Sequence, residues 1–324
     1  MRPMLATPTT EVPSGERWSH EVKWDGVRVL ARGGADLGDA VRMTSRNDNE
    51  VTVAWPDLST SPLPGRDLLV DGEVIALNER GLPDFRTLQE RMHVRRAATA
   101  AALADRVPAT YMVFDLLALD GEDLTGLAWA ERRARLEDLA GPDGLGATGW
   151  QVPAAYDDGA MLLEATRTQG LEGVVSKRRD SRYAFERRSP HWLKLAHRHR
   201  RSYVVGGWRP QEGSGADGPL AAVLVGEPTP DGLAYRGRVG SGIGGRRSAE
   251  LAAMVAPLAR AASPFHDEVP RVDARGTHWV EPVLVVDVDT HGAGYARLRQ
   301  PSFRGVRPDL DPDDLATDDL TGQS

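Results

Sequence analysis

The chain has 324 residues, 40% hydrophobic and 27% charged, ordinary figures for a soluble globular protein and enough length for two domains with separate cores. No apolar run approaches the ~20 residues that span a bilayer, residues 1–6 lack a signal-peptide core, and the absence of cysteine excludes disulfides and Cys-ligated zinc, so a cytoplasmic protein is expected. A net charge of -7 argues only weakly against a nucleic-acid partner, because the charge is unevenly spread.

In chain order, residues 21–31 alternate apolar and polar after Gly26, which suits a strand. Phe85 opens a stretch to residue 106, rich in Ala, Leu and Arg, that reads as one or two helices. It lies between two strands expected over 68–77 and 110–117, each bounded by Pro, Gly or polar residues. Helices are expected over 129–140 and 159–169, each with a glycine just beyond its end. From 177 to 201 ten Lys or Arg face only Asp180 and Glu186, interleaved with Tyr183, Phe185 and Trp192, a composition suited to binding phosphate. Beyond this the texture changes to short strands over 203–208, 220–225, 233–239, 279–289 and 295–299, with one helix over 246–262 and a surface turn over 211–219. Five strands and one helix fit a small Greek-key barrel. From Asp309 onward there are six aspartates and no basic residue, and 313–324 reads as a disordered acidic tail. The eight tryptophans are read mainly as core.

Lys+Arg total 40, yet lysine occurs only at Lys23, Lys177 and Lys194. Arginine cannot serve as an amine nucleophile, so a lysine kept in such a chain points to a compact ammonium or an amine that loses its proton. The three lie in Glu21-Val22-Lys23-Trp24-Asp25-Gly26, Glu172-Gly173-Val174-Val175-Ser176-Lys177 and Trp192-Leu193-Lys194. Between the first two come Ser45-Arg46-Asn47, Asp71-Gly72-Glu73 and Phe114-Asp115. Taken singly, Glu73 and Glu172 read as strand-end carboxylates and Phe114 as a core aromatic; their order is what carries information.

That order resembles the covalent nucleotidyltransferases: ATP-dependent DNA ligases, RNA ligases and mRNA-capping enzymes. Asp180-Ser181-Arg182-Tyr183, Val205-Gly206-Gly207-Trp208, Gly237-Arg238-Val239-Gly240 and the run from Arg297 to Asp309 narrow the resemblance to the ligase module of bacterial DNA ligase D, the end-joining type. The resemblance implies an α+β protein: a mixed α/β, ATP-grasp-like nucleotidyltransferase domain over 1–201 and an OB-fold barrel over 202–312. It implies ATP, carried as covalent AMP on Lys23, and Mg²⁺ or Mn²⁺. It implies nicked double-stranded DNA as partner, with Ku and separate polymerase and nuclease proteins as helpers. With 22 residues ahead of Lys23, an N-terminal DNA-binding domain of the large-ligase kind is not expected, nor are fused polymerase or phosphoesterase modules. The expectation is a two-domain monomer clamping nucleoid DNA.

By the same resemblance Lys23 attacks the α-phosphate of ATP, helped by Arg28, Lys194 and the metal, which disfavour its charged form. Glu21 accepts from the adenine amino group, Phe114 stacks on the ring, and Glu73 holds the ribose and, with Glu172, the metal. Arg28, Arg46 and Arg188 contact nucleotide or nick phosphate, and Lys194 neutralises the α-phosphate. Lys177 either positions phosphate or leaves its strand at the surface. Arg307 and Asp309, on the second domain, close over ATP and orient pyrophosphate. The sequence departs from the pattern twice, with Ala196 and Leu310 where lysines are expected, which predicts a working but slow enzyme. His197 or Arg198 is a candidate substitute for the lysine that Ala196 displaces. The alternatives are a catalytically impaired module that binds nicked DNA, and an RNA ligase or capping-type enzyme.

Overall fold

A computed structural model describes residues 1–146, 149–215, 218–291 and 296–315. The chain divides into two compact units, Met1–His197 and from Arg198 onward. The break falls before the expected 201/202 because one strand, His199–Pro210, runs unbroken through that point.

The first unit has two sheets. In one the order is Leu5–Pro8, Arg188–Ala196, Gly173–Arg178, Trp18–Val22, with the first pair parallel and the others antiparallel. The other runs Val41–Ser45, Val27–Gly33, Leu68–Ala76, Ala109–Leu119, Glu122–Asp123, with Trp150–Gln151 beside Ala109–Leu119. Strand periodicity sorts its side chains: Leu68, Val70, Val74 and Ala76 enter a core with Trp55, Tyr111 and Trp150, while Asp71 and Glu73 turn to the opposite face. Between the two sheets lies a second cluster of Met4, Leu30, Phe114, Leu117, Trp129, Tyr183 and Trp192. The helix Trp129–Asp138 is pinned here by a fully buried pair, with Arg132 Nε donating to Asp115 Oδ1 at 2.8 Å.

The second unit is an antiparallel sheet ordered Gly232–Val239, Leu220–Thr229, His199–Pro210, Val285–Thr290, Ser302–Val306. A bridge between Ser241 and Ser302 joins its two edges and closes the barrel, giving the expected OB fold. The helix Arg246–Val255 caps it, lending Leu251 and Val255 to a core that includes Val205, Val223, Val286 and Phe303.

Several expected elements differ for local reasons. The strand expected over 21–31 is two, Trp18–Val22 and Val27–Gly33, and residues 23–26 form the link. The helix expected to residue 262 stops at Val255 and tightens into a single turn, Ala256–Leu258, where Pro257 lacks a donor. Pro282 likewise separates His278–Trp279 from Val285–Thr290. Residues 296–299 form no strand, and Tyr295 lies outside the described residues. Of the expected acidic tail, Pro312–Leu315 covers the start as one helical turn; 316–324 lie outside the described residues. No helix among the described residues is long and apolar enough to cross a membrane.

Candidate active site

Strand register assembles the site. Val175 pairs with Glu21 on one side and Lys194 on the other, and Lys177 pairs with Ser19 and Trp192. Because alternate residues share a face, Glu21, Lys177, Trp192 and Lys194 all project from one side of their sheet. On the facing sheet Arg28 lies directly opposite Glu73. A register shift lets Gly72 pair with Val113 while Asp71 pairs with Asp115, so Phe114 is bulged out of the ladder and its ring is re-aimed. The two faces enclose a cleft of about 810 Å³, open to solvent, lined by Glu21, Lys23, Arg28, Arg46, Glu73, Phe114, Lys177, Arg188 and Lys194. Nine of the expected residues thus share one cleft.

Two glycines make room for it. A Cβ on Gly26 would sit 2.2 Å from the Val74 carbonyl oxygen, so only glycine lets the chain pass the strand Leu68–Ala76 directly after Lys23. Gly173 has φ +146°, and a Cβ there would meet the Leu195 carbonyl oxygen at 2.1 Å. Its own carbonyl accepts from the Lys23 backbone N–H at 2.8 Å, bringing Glu172 beside the lysine. Lys23 Nζ lies 2.5 Å from Glu172 Oε1, with both side chains largely covered.

One end of the cleft is built around Lys177. Its ammonium is buried, lies 2.7 Å from Glu21 Oε2 and donates to the Phe114 carbonyl at 3.1 Å. It also sits 4.4 Å over the Phe114 ring and 4.3 Å over Trp192, so both sequence readings of Lys177, phosphate contact and surface exit, give way to an internal counter-charge. Burial lowers its pKa, while Glu21 and Asp115 oppose the fall. Glu21 keeps its second oxygen, Oε1, buried and without a hydrogen-bond partner, 3.8 Å from Arg133 Nη1. A buried acceptor left open in a cleft suits a ligand N–H.

The other end of the cleft carries the remaining charge. Burial raises the Glu73 carboxyl to about 8, against the pull of Arg28 and Lys23, with Glu172 and Asp71 adding to the rise. Burial also lowers Lys194, and the neighbouring charges of Lys23, Arg46 and Arg188 lower it further. Arg28 is less free than expected. Its Nε and Nη2 each donate to Asp71 at 2.6 Å, Nη2 also reaches the Met4 carbonyl at 3.1 Å, and the group lies 4.7 Å over Phe114. Tyr183 Oη holds the same Asp71 at 2.5 Å. Arg28 therefore braces the cleft floor. The arginines better placed for a ligand are Arg46 and the exposed Arg188, whose Nη1 donates to the Ala6 carbonyl.

Among the described residues, no group of three or more His, Asp or Glu could hold a metal alone. Glu73 and Glu172 still fit Mg²⁺, which keeps several waters and takes one or two carboxylates together with substrate phosphates. Arg307 and Asp309 belong to the other unit, where they pair with each other at 2.7 Å and Arg307 also reaches Asp287 at 3.4 Å. His197 does not replace a lysine at position 196, since its Nε2 is held 2.9 Å from Thr166 Oγ1. Sequence reasoning passed over Arg133 and gave no individual role to Trp24, Asp71, Tyr183 and Trp192, which it quoted only within motifs. Asp71 and Trp192 were findable, each standing two residues from a site residue on the same strand face.

Residues 3–195 match the family described as ATP dependent DNA ligase domain, and residues 216–310 match the ATP dependent DNA ligase C terminal region. The multifunctional non-homologous end joining DNA repair protein LigD of Mycobacterium tuberculosis is 39% identical over 320 residues, covering 97% of this chain and 39% of the relative. The chain therefore spans about two-fifths of the length of that curated relative. The crystal structure of the ligase domain of M. tuberculosis LigD matches with a TM-score of 0.54 at 37% identity, covering 98% of both chains. A mycobacterial DNA ligase D complexed with ATP and MES matches with a TM-score of 0.56 at 36% identity, covering 97% of both.

Proposed function

This chain belongs to the ATP-dependent DNA ligases, and from that premise we propose that it seals nicks in DNA through a lysyl-AMP intermediate on Lys23, in the end-joining repair of broken DNA. The observation that carries the reading is the setting of Lys23. Its amine projects into a cleft that has a buried carboxylate acceptor, Glu21, at one end and Lys194, Arg46 and Arg188 at the other.

In the first step Lys23 Nζ attacks the α-phosphorus of ATP, the N–P bond forms, and the bond to the bridging oxygen breaks, releasing pyrophosphate. The amine must lose a proton, and Glu172 Oε1 at 2.5 Å is the base placed to receive it. Adenine enters beside Phe114 and Trp192, giving its amino group to Glu21 Oε1. A guanine would present a carbonyl to the same carboxylate, so ATP is favoured over GTP. Lys194, Arg46 and Arg188 receive phosphate oxygens, and charge stabilisation at phosphorus carries most of the rate. A divalent ion held by Glu73 and Glu172 would supply further neutralisation of the phosphates. The AMP then passes to a DNA 5′-phosphate, and a 3′-hydroxyl displaces it. By the family likeness, Arg307 and Asp309 serve the first step.

The test is incubation with ATP labelled at the α-phosphate, followed by denaturation. Label retained by the wild type and absent from Lys23→Ala supports the reading; equal label on both, or none on either, ends it. Sealing of nicked DNA in preference to nicked RNA then fixes the strand class.

A further inference from the structure

We propose that Lys194 is a modification site, an amine that takes an acyl group from small anionic acyl donors of the acyl phosphate class. The proposal does not rest on ligation, since its readout is mass rather than turnover.

Three lysines and the N-terminus are the only amines in the chain. They differ sharply in setting. Lys177 is 1% exposed and caged between rings, so no reagent reaches it in the folded protein. Lys23 is held by Glu172 at 2.5 Å, which ties up the amine. The Met1 amine is exposed and paired with Asp48. Lys194 lines the open cleft, and its side-chain amine has no hydrogen bond or ion pair among the described residues. Its neighbours in the cleft include Lys23, Arg46 and Arg188, which would draw in an anionic donor. Burial and those same cations lower its pKa against the opposing pull of Glu172.

The reaction balances simply. The Lys194 nitrogen attacks the acyl carbon, the N–C bond forms, the C–O bond to phosphate breaks, inorganic phosphate leaves, and the amine proton passes to solvent. The product is a neutral amide. Two residues along, on the same strand face, Ala196 offers no second ammonium, so acylation would remove the last lysine charge from that row.

The test uses the full chain with acetyl phosphate at about pH 7.5, mixed with a reference peptide carrying one exposed lysine. Acetylated positions are mapped by mass spectrometry after digestion. Its place in the open cleft, with Lys23, Arg46 and Arg188 beside it to gather an anionic donor, should make Lys194 gain acetyl faster than the reference lysine. It should also outrun Lys23, and ATP should slow it. A neutral acetylating ester in place of acetyl phosphate should shrink the advantage, as should Arg188→Gln with acetyl phosphate. Lys177 staying unmodified reports that the fold is intact. The proposal is overturned if Lys194 reacts no faster than the peptide, if Lys23 reacts first, or if the neutral ester gives the same advantage.

Discussion

At residue 196 the cleft-facing row of the strand Arg188–Ala196 ends in a methyl group, two positions on from Lys194. One charge-assisted phosphate contact contributes about 1.5–3 kcal/mol, or roughly 10- to 150-fold in rate. Ala196→Lys should therefore speed self-adenylylation by at least about tenfold, read as single-turnover label uptake; an unchanged rate would show that other groups already supply the charge. Lys177 makes the opposite case, a charge needed inside. Lys177→Met leaves the Glu21 carboxylate buried without its partner at 2.7 Å and should cost about 3–5 kcal/mol in urea unfolding. Lys177→Met combined with Glu21→Gln should recover part of that loss, because the stranded charge goes with it. Sequence composition singled out Lys177 but could not say that it points inward. Strand parity decides that, and parity depends on the register with Trp192.

Among the elements, the link between Trp18–Val22 and Val27–Gly33 shows why the site motif needs its glycine. Gly26→Ala would drive a methyl group into the Val74 carbonyl and should destabilise the first unit by about 2–4 kcal/mol. Urea unfolding monitored by the buried tryptophans would register it. His20, on the same first strand, gives a pH signature. It is 1% exposed, with Nδ1 2.9 Å from Ser176 Oγ, and burial holds its pKa below 6.5 against the opposing pull of Asp158. The unfolded chain binds this proton more readily than the folded one. The stabilisation is therefore full above 6.5 and is lost as pH falls through the folded value. The urea midpoint of the wild type should drop more between about pH 7.5 and 5.5 than that of His20→Gln. The elements most legible in the sequence were apolar stretches bounded by Pro, Gly or polar residues, such as Leu68–Ala76. The four-residue strand Leu5–Pro8 was not, because its only claim to being a strand is its parallel partner Arg188–Ala196.

For the whole molecule the division of labour between the two units is the testable matter. Arg307→Ala should slow lysyl-AMP formation by about 10-fold or more while leaving the sealing of pre-adenylylated nicked DNA near wild type. Equal loss in both steps would assign Arg307 to DNA binding instead. The sequence by itself determined the family and the two-part architecture and singled out Lys23 as the candidate nucleophile, because ordered short motifs and a change of texture near residue 200 are properties of the linear chain. It also exposed the two vacant charges, Ala196 and Leu310. Tertiary structure alone decided which charged groups remain open to a ligand. Arg28 reads in sequence as a contact to nucleotide or nick phosphate, yet it is held by Asp71 and the Met4 carbonyl, and Tyr183 in turn holds Asp71. Lys177 reads in sequence as a phosphate-positioning or surface lysine, yet Glu21, Phe114 and Trp192 enclose it. Motifs record which residue types are present; whether a charge faces a partner or the cleft is fixed by strand register and by what packs across from it.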